Sequence, residues 1–237
     1  MEEMSAIVFG PISPQSIIGR IDVASRDVPI PKEFNDEKDM LRDLFESIMC
    51  VEDKYVLYKD NVAGKTKKHL ERVFAYELYR QWANRIQLVS NGNLVINGEI
   101  EKSPKVFDYY KSKIHKYPDL VMHSSQGNCD FQGIVCEIKT SKVTVPSFKE
   151  DIDKLSCFVC GKDEKYRFSF GVFILIGDDM NRIFNIMDET EGDAFKATFN
   201  ERINRIICVS YNHNHLEAVR FDWLIKKEDR DKLRNLI

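Results

Sequence analysis

Asp119, Glu137 and Lys139 are residue types that can do chemistry together. Asp119 opens an apolar run, Leu120-Val121-Met122, and Glu137 and Lys139 close another that begins at Ile134. Both runs read as strands, and side chains on a strand alternate between faces. Asp119, Val121 and His123 then share one face, as do Glu137 and Lys139, while Leu120, Met122, Ile134, Cys136 and Ile138 can fill a core. If the two strands pair as a hairpin, two carboxylates and an ammonium converge at one spot. Carboxylates on rigid neighbouring strands make a hard-oxygen site suited to Mg²⁺, which keeps several waters and welcomes phosphate oxygens. The backbone carbonyl of Ile138 is placed to be a further ligand. A cation held there would make water a usable nucleophile near neutral pH and offset charge on phosphorus oxygens. Lys139 can orient that water or steady the developing negative charge. The plain alternative is that Asp119 caps a turn after Pro118 and that Glu137 and Lys139 form a solvated edge-strand face.

Other elements must position these residues. Upstream, the spacing predicts a helix over 67–84, because Leu70, Phe74, Leu78 and Trp82 fall four apart and make one stripe. Glu71 lies within that stripe and Glu77 at its edge. Residues 86–96 read as a hairpin turning at Ser90-Asn91-Gly92, and the strand pair over 117–123 and 131–140 follows it. Downstream, 148–157 suits a helix with Ile152 and Leu155 inward. The continuous apolar run 168–176 suits a strand buried on both faces. Residues 189–204 read as helical and 205–211 as a strand, with one more strand over 216–225 and a short charged helix after it. Residues 1–33 are broken by Pro11, Pro14, Pro29 and Pro31, and a helix is expected over 35–49. The whole predicts a mixed α/β domain built around a central sheet over 61–237, with 1–60 as an N-terminal extension packed on it.

Pro118-Asp119, seventeen residues, then Glu137-Ile138-Lys139 resembles the PD-(D/E)xK motif of the restriction-endonuclease-like nucleases. That family's core runs helix, three strands, helix, strand, as the reading over roughly 65–176 does. The resemblance implies a Mg²⁺-dependent phosphodiester hydrolase, with Mn²⁺ as a substitute metal and DNA as the expected substrate. Its role would lie in restriction, repair or defence. Asp119 matches the first acid of the motif, Glu137 the second and Lys139 its lysine, so Asp119, Glu137 and the Ile138 carbonyl are the implied metal ligands. Many members add a glutamate from the first core helix. Glu71 and Glu77 both stand there, and the sequence leaves the choice open with a lean to Glu71. Members often cut two strands as dimers, so a homodimer belongs to the same expectation. Three other (D/E)xK matches, at Asp36, Glu52 and Asp163, sit in polar, charge-dense stretches. Only Glu137-x-Lys139 ends an apolar strand, downstream of the chain's one Pro-Asp dipeptide. A non-catalytic nucleic-acid- or protein-binding module on the same fold is the rival reading.

Composition bounds these expectations. The chain has 237 residues, 43% hydrophobic and 31% charged, which suits a globular domain with a sizeable core. A formal net charge of -3 does not advertise nucleic-acid binding, so a local basic surface is needed. Lys65, Lys67, Lys68, Lys102, Lys105, Lys111, Lys113 and Lys116 could supply one. Lys149 and Lys154 on the following helix could meet a phosphate backbone, with a solvated helix face as the default. Cys157 and Cys160 form a lone CxxC without the second pair a zinc site needs, so the six cysteines read as reduced. Gly64-Lys65-Thr66 lacks the glycine a phosphate-binding loop requires. No apolar stretch approaches the ~18 residues of a membrane span, and the N-terminus does not read as a signal peptide. A cytoplasmic protein is expected.

Overall fold

A computed structural model gives the fold of residues 7–9, 38–58, 68–69, 71–90, 94–98, 118–124, 131–161, 164, 167–190 and 202–236. The 90–92 turn, the lysines between 65 and 67 and between 102 and 116, the 64–66 tripeptide and most of residues 1–33 lie wholly or partly outside them. In chain order the elements are β1 (Ile7–Phe9), α1 (Lys38–Met49), α2 (Asp53–Val56), β2 (Leu57–Tyr58), β3 (Lys68–His69) and α3 (Glu71–Ser90). Then come β4 (Leu94–Gly98), β5 (Leu120–Ser124), β6 (Gln132–Thr140), α4 (Val145–Val159), β7 (Phe170–Ile176) and α5 (Met180–Glu189). The chain continues through β8 (Ile206–Asn212), β9 (His215–Arg220), α6 (Phe221–Ile225) and α7 (Lys227–Arg234).

The expected α/β organisation around a mixed sheet is present. Seven strands form one sheet in the order β1-β9-β8-β7-β6-β5-β4. β4, β5 and β6 are antiparallel neighbours, β6, β7 and β8 run parallel, and β9 returns antiparallel to β8. The sheet separates two cores. On one face Leu120, Met122, Ile134, Cys136 and Ile138 pack with Leu41, Phe45, Phe74, Leu78 and Trp82 of α1 and α3. On the other, Val121, Val135, Phe173 and Leu175 pack with Phe148, Ile152 and Leu155 of α4 and with α5 to α7. The alternation read from the sequence is therefore the alternation between these two layers. The helix within the expected N-terminal extension, α1, supplies part of the first core, and β1 adds a strand beside β9. β7 is buried along its whole length, as a central parallel strand covered on both faces must be.

Two expectations are corrected. Residues 86–90 are not a strand: α3 runs on to Ser90. The four-residue stripe continues from Phe74, Leu78 and Trp82 to Ile86, all almost fully buried, so helical packing outweighs the local β-forming residues. The helix expected over 189–204 falls mostly on 191–201, outside the described residues; α5, Met180–Glu189, is a helix not read from the sequence. Asp179 caps α5 by accepting from the Asn181 N–H, and Met180, Ile183, Phe184 and Met187 give it a buried face. Within 216–225 the strand stops at Arg220, and two short helices follow. Among the described residues no helix is long and apolar enough to cross a membrane.

Candidate functional site

β5 and β6 do pair as an antiparallel hairpin, Leu120 opposite Cys136. Asp119 sits one residue before β5 and is tied to β6 twice. Its backbone N–H donates to the Cys136 carbonyl at 3.1 Å, and its Oδ2 accepts from the Ile138 N–H at 2.6 Å. The carboxylate is thereby held beside Glu137 and Lys139. Glu137 is only 1% exposed, in a strand flanked by β5 and β7. That is no solvated edge-strand face.

Lys139 draws in the rest of the site. Its Nζ lies 3.5 Å from Glu71 Oε1 in the first turn of α3 and 3.6 Å from Asp151 Oδ2 on α4. It also donates to the Ile138 carbonyl at 3.3 Å, so that oxygen already meets a cation. Lys154 Nζ donates to Glu137 Oε2 at 2.6 Å and lies 3.0 Å from Asp151 Oδ1. Four elements thus bring Glu71, Asp119, Glu137, Lys139, Asp151 and Lys154 together.

Asp151 was not among the residues read from the sequence, and Lys154 was read by default as solvated. Both belong to the site. The signal was present: Asp151 falls in the buried stripe of α4, with Phe148, Ile152 and Leu155, where a lone carboxylate needs a partner. Thr144 caps that helix by accepting from the Ser147 N–H, which fixes where α4 begins and hence where Asp151 and Lys154 point.

Of the two helix glutamates, only Glu71 reaches the cluster. Glu77 is buried and held elsewhere, accepting from Arg80 at 2.9 and 2.5 Å and from Gln81 at 2.7 Å. Those bonds keep its carboxyl below the usual range. His123 lies along β5, about 13 Å from Asp119 at strand rise, bonded to Asn97 at 2.7 Å. Lys149 stays on the partly exposed surface of α4. Cys157 and Cys160 are not joined in a disulfide.

Four carboxyl groups face two ammonium groups in this largely buried cluster, and the electrostatics reflect the imbalance. Burial pushes Glu137 up from the ordinary carboxyl value, opposed by Lys154 and reinforced by Asp119. Burial likewise raises Asp119 against the Ile138 N–H and Lys139, and raises Glu71 against Lys139. For Lys139 burial pulls down, but Asp151, Glu71, Asp119 and Glu137 outweigh it, so the amine is held charged.

Do these residues suit a divalent cation? Among the described residues, no three His, Cys, Asp or Glu side chains stand as a ready group around one ion. The ammonium of Lys154 occupies one oxygen of Glu137. Yet Glu137 Oε1 is buried and accepts no hydrogen bond, whereas Asp151 Oδ2, which also accepts none, lies 3.6 Å from the Lys139 ammonium. An orphaned carboxylate oxygen, an excess of buried carboxyl groups and a donor set of hard oxygens are what a bound Mg²⁺ would satisfy. The donor chemistry fits the ion. Compared with protein-family models, curated proteins and solved structures, the chain matches none.

Proposed function

We propose that this chain is a metal-dependent nuclease of the restriction-endonuclease-like type, hydrolysing phosphodiester bonds, with DNA as substrate. The observation that carries the reading is the convergence of Glu71, Asp119, Glu137 and Lys139 from α3, the start of β5 and the end of β6. The fold order α3, β4, β5, β6, α4, β7 supports it, since it is the order of that family's core.

In this reading Asp119, Glu137 and the Ile138 carbonyl hold Mg²⁺ or Mn²⁺, with Glu71 completing the set. The ion, when bound, supplies a water nucleophile and charge neutralisation at the phosphoryl oxygens. Asp119 is oriented by the Ile138 N–H, so its carboxylate is in place before substrate arrives. Lys139, kept protonated by the surrounding carboxylates, orients the attacking water or steadies the charge that builds on phosphorus oxygens. Lys154 neutralises Glu137 and fixes its rotamer. Asp151 acts through the two lysines as a positioning residue.

The rival, a non-catalytic nucleic-acid- or protein-binding module on this fold, draws support from the Lys154–Glu137 ion pair, which already satisfies one oxygen of the second acid. One experiment separates the two. Single- and double-stranded DNA and RNA are incubated with wild type and with Lys139→Ala, in Mg²⁺, Mn²⁺ or chelator, with calorimetry of metal binding alongside. The nuclease reading expects cutting that needs metal and falls at least ~10²-fold in the variant. Neither cutting nor metal binding would hand the site to the binding module.

A further inference from the structure

A cleft of about 500 Å³ opens against the carboxyl cluster, with Glu71 and Asp119 in its wall. Its long side is one face of α3. Glu71, Ala75 and Tyr79 recur every four residues, and Arg72 and Tyr76 run beside them. This face adjoins the Phe74, Leu78 and Trp82 stripe yet is open: Tyr76 is 68% exposed and Tyr79 40%. Arg72 is exposed as well. The small Ala75 stands next to Tyr76 and four residues before Tyr79. Across the cleft are Asn97 and Gly98 of β4, the last strand of the sheet. Gly98 brings bare backbone to the wall, 3.4 Å from the Asp119 carbonyl for any Cβ placed there.

Two exposed aromatic rings beside a guanidinium, leading to carboxylates, offer stacking faces and a phosphate partner in one groove. Bases in a duplex are already stacked on each other, so rings of this kind serve bases that are unpaired. A net charge of -3 does not favour a duplex backbone, and stacking is nearly independent of charge. We infer that the cleft takes an unpaired stretch of DNA, its bases stacked on Tyr76 and Tyr79 and a backbone phosphate on Arg72. The inference rests on the nuclease reading for the position of the scissile phosphate, at Glu71 and Asp119.

The test is fluorescence anisotropy with a labelled oligothymidylate of about twelve nucleotides, a blunt duplex of equal length and an oligouridylate. Ca²⁺ replaces Mg²⁺ so that strands stay whole. The proteins are wild type, Tyr76→Ala, Tyr79→Ala and the two Tyr→Phe variants, with circular-dichroism melts as the check on folding. Wild type is expected to hold oligothymidylate about 10-fold tighter than duplex, each Ala variant to lose about 10-fold, and the Phe variants to retain binding. Equal affinity for single strand and duplex, Ala variants that bind as wild type, or no binding at all would overturn the cleft's role. Tighter binding of oligouridylate would overturn the choice of DNA. Tyrosine-dependent strand binding by a chain that cuts nothing would sink the hydrolase reading alone. Metal-dependent cutting with tyrosine-independent binding would sink this inference alone.

Discussion

Asp119 illustrates how the site is made at the scale of single residues. Its carboxylate is placed by an N–H of the neighbouring strand, so backbone pairing and side-chain position are the same event. The same scale decides between the helix glutamates. Glu71 meets Lys139, whereas Glu77 spends its oxygens on Arg80 and Gln81. Glu71→Gln should lower metal-dependent cleavage by ~10²-fold with little change in melting temperature. Glu77→Gln should leave cleavage within a few-fold of wild type. Steady-state cleavage rates and thermal melts on both variants check this, and equal losses of cleavage would refute the assignment. A helical wheel could not separate them, because both lie near the buried stripe; the partner each finds belongs to other residues' coordinates.

At the scale of elements, the site depends on how closely α4 lies on the sheet. Gly171 of β7 sets that approach: a Cβ there would stand 3.1 Å from Val159 Cγ2 and 3.2 Å from Leu155 Cβ. Gly171→Val should cost ~1–3 kcal/mol by overpacking. It should also lower cleavage, because α4 carries Asp151 and Lys154 to Lys139 and Glu137. Denaturant melts and rates on one preparation test the coupling, and lost stability with unchanged activity would show that α4 need not seat closely. The edge-to-face contact of Phe148 on Phe173, with ring centroids 4.8 Å apart, holds the same helix to the same strand. α4 and β7 were readable from composition and period, since an amphipathic helix and an all-apolar run are strong local signals. α5 was not read, and α3 was cut short where Ile86 extends its stripe.

At the scale of the whole molecule, long-range contacts join the N-terminal helices to β8 of the sheet. The buried Tyr211 of β8 donates its hydroxyl to the Val51 carbonyl at 2.8 Å, across 160 residues of sequence. Its ring also meets Phe74 of α3, with centroids 6.0 Å apart. Burial raises the phenol, so it remains a donor throughout the physiological range. Tyr211→Phe leaves the Val51 carbonyl unsatisfied and should cost ~1–2 kcal/mol, read from chemical denaturation. Because α1 and α3 share one core with β5 and β6, that loss should appear as a single shifted transition; separate unfolding of the N-terminal segment would contradict the shared core.

The sequence by itself determined the strand pair, its face alternation and the grouping of Asp119, Glu137 and Lys139. Period-2 patterning and a hairpin's proximity are local properties of the chain. It also determined the α/β order, because helix and strand periods differ. Only the tertiary structure decided that Glu71 rather than Glu77 faces the lysine, that Asp151 and Lys154 close the charge network, and that two tyrosines of α3 line the adjoining cleft. Each of those outcomes depends on the angle and distance at which one element lies on another. Those are set by packing among side chains far apart in sequence, to which no local pattern has access.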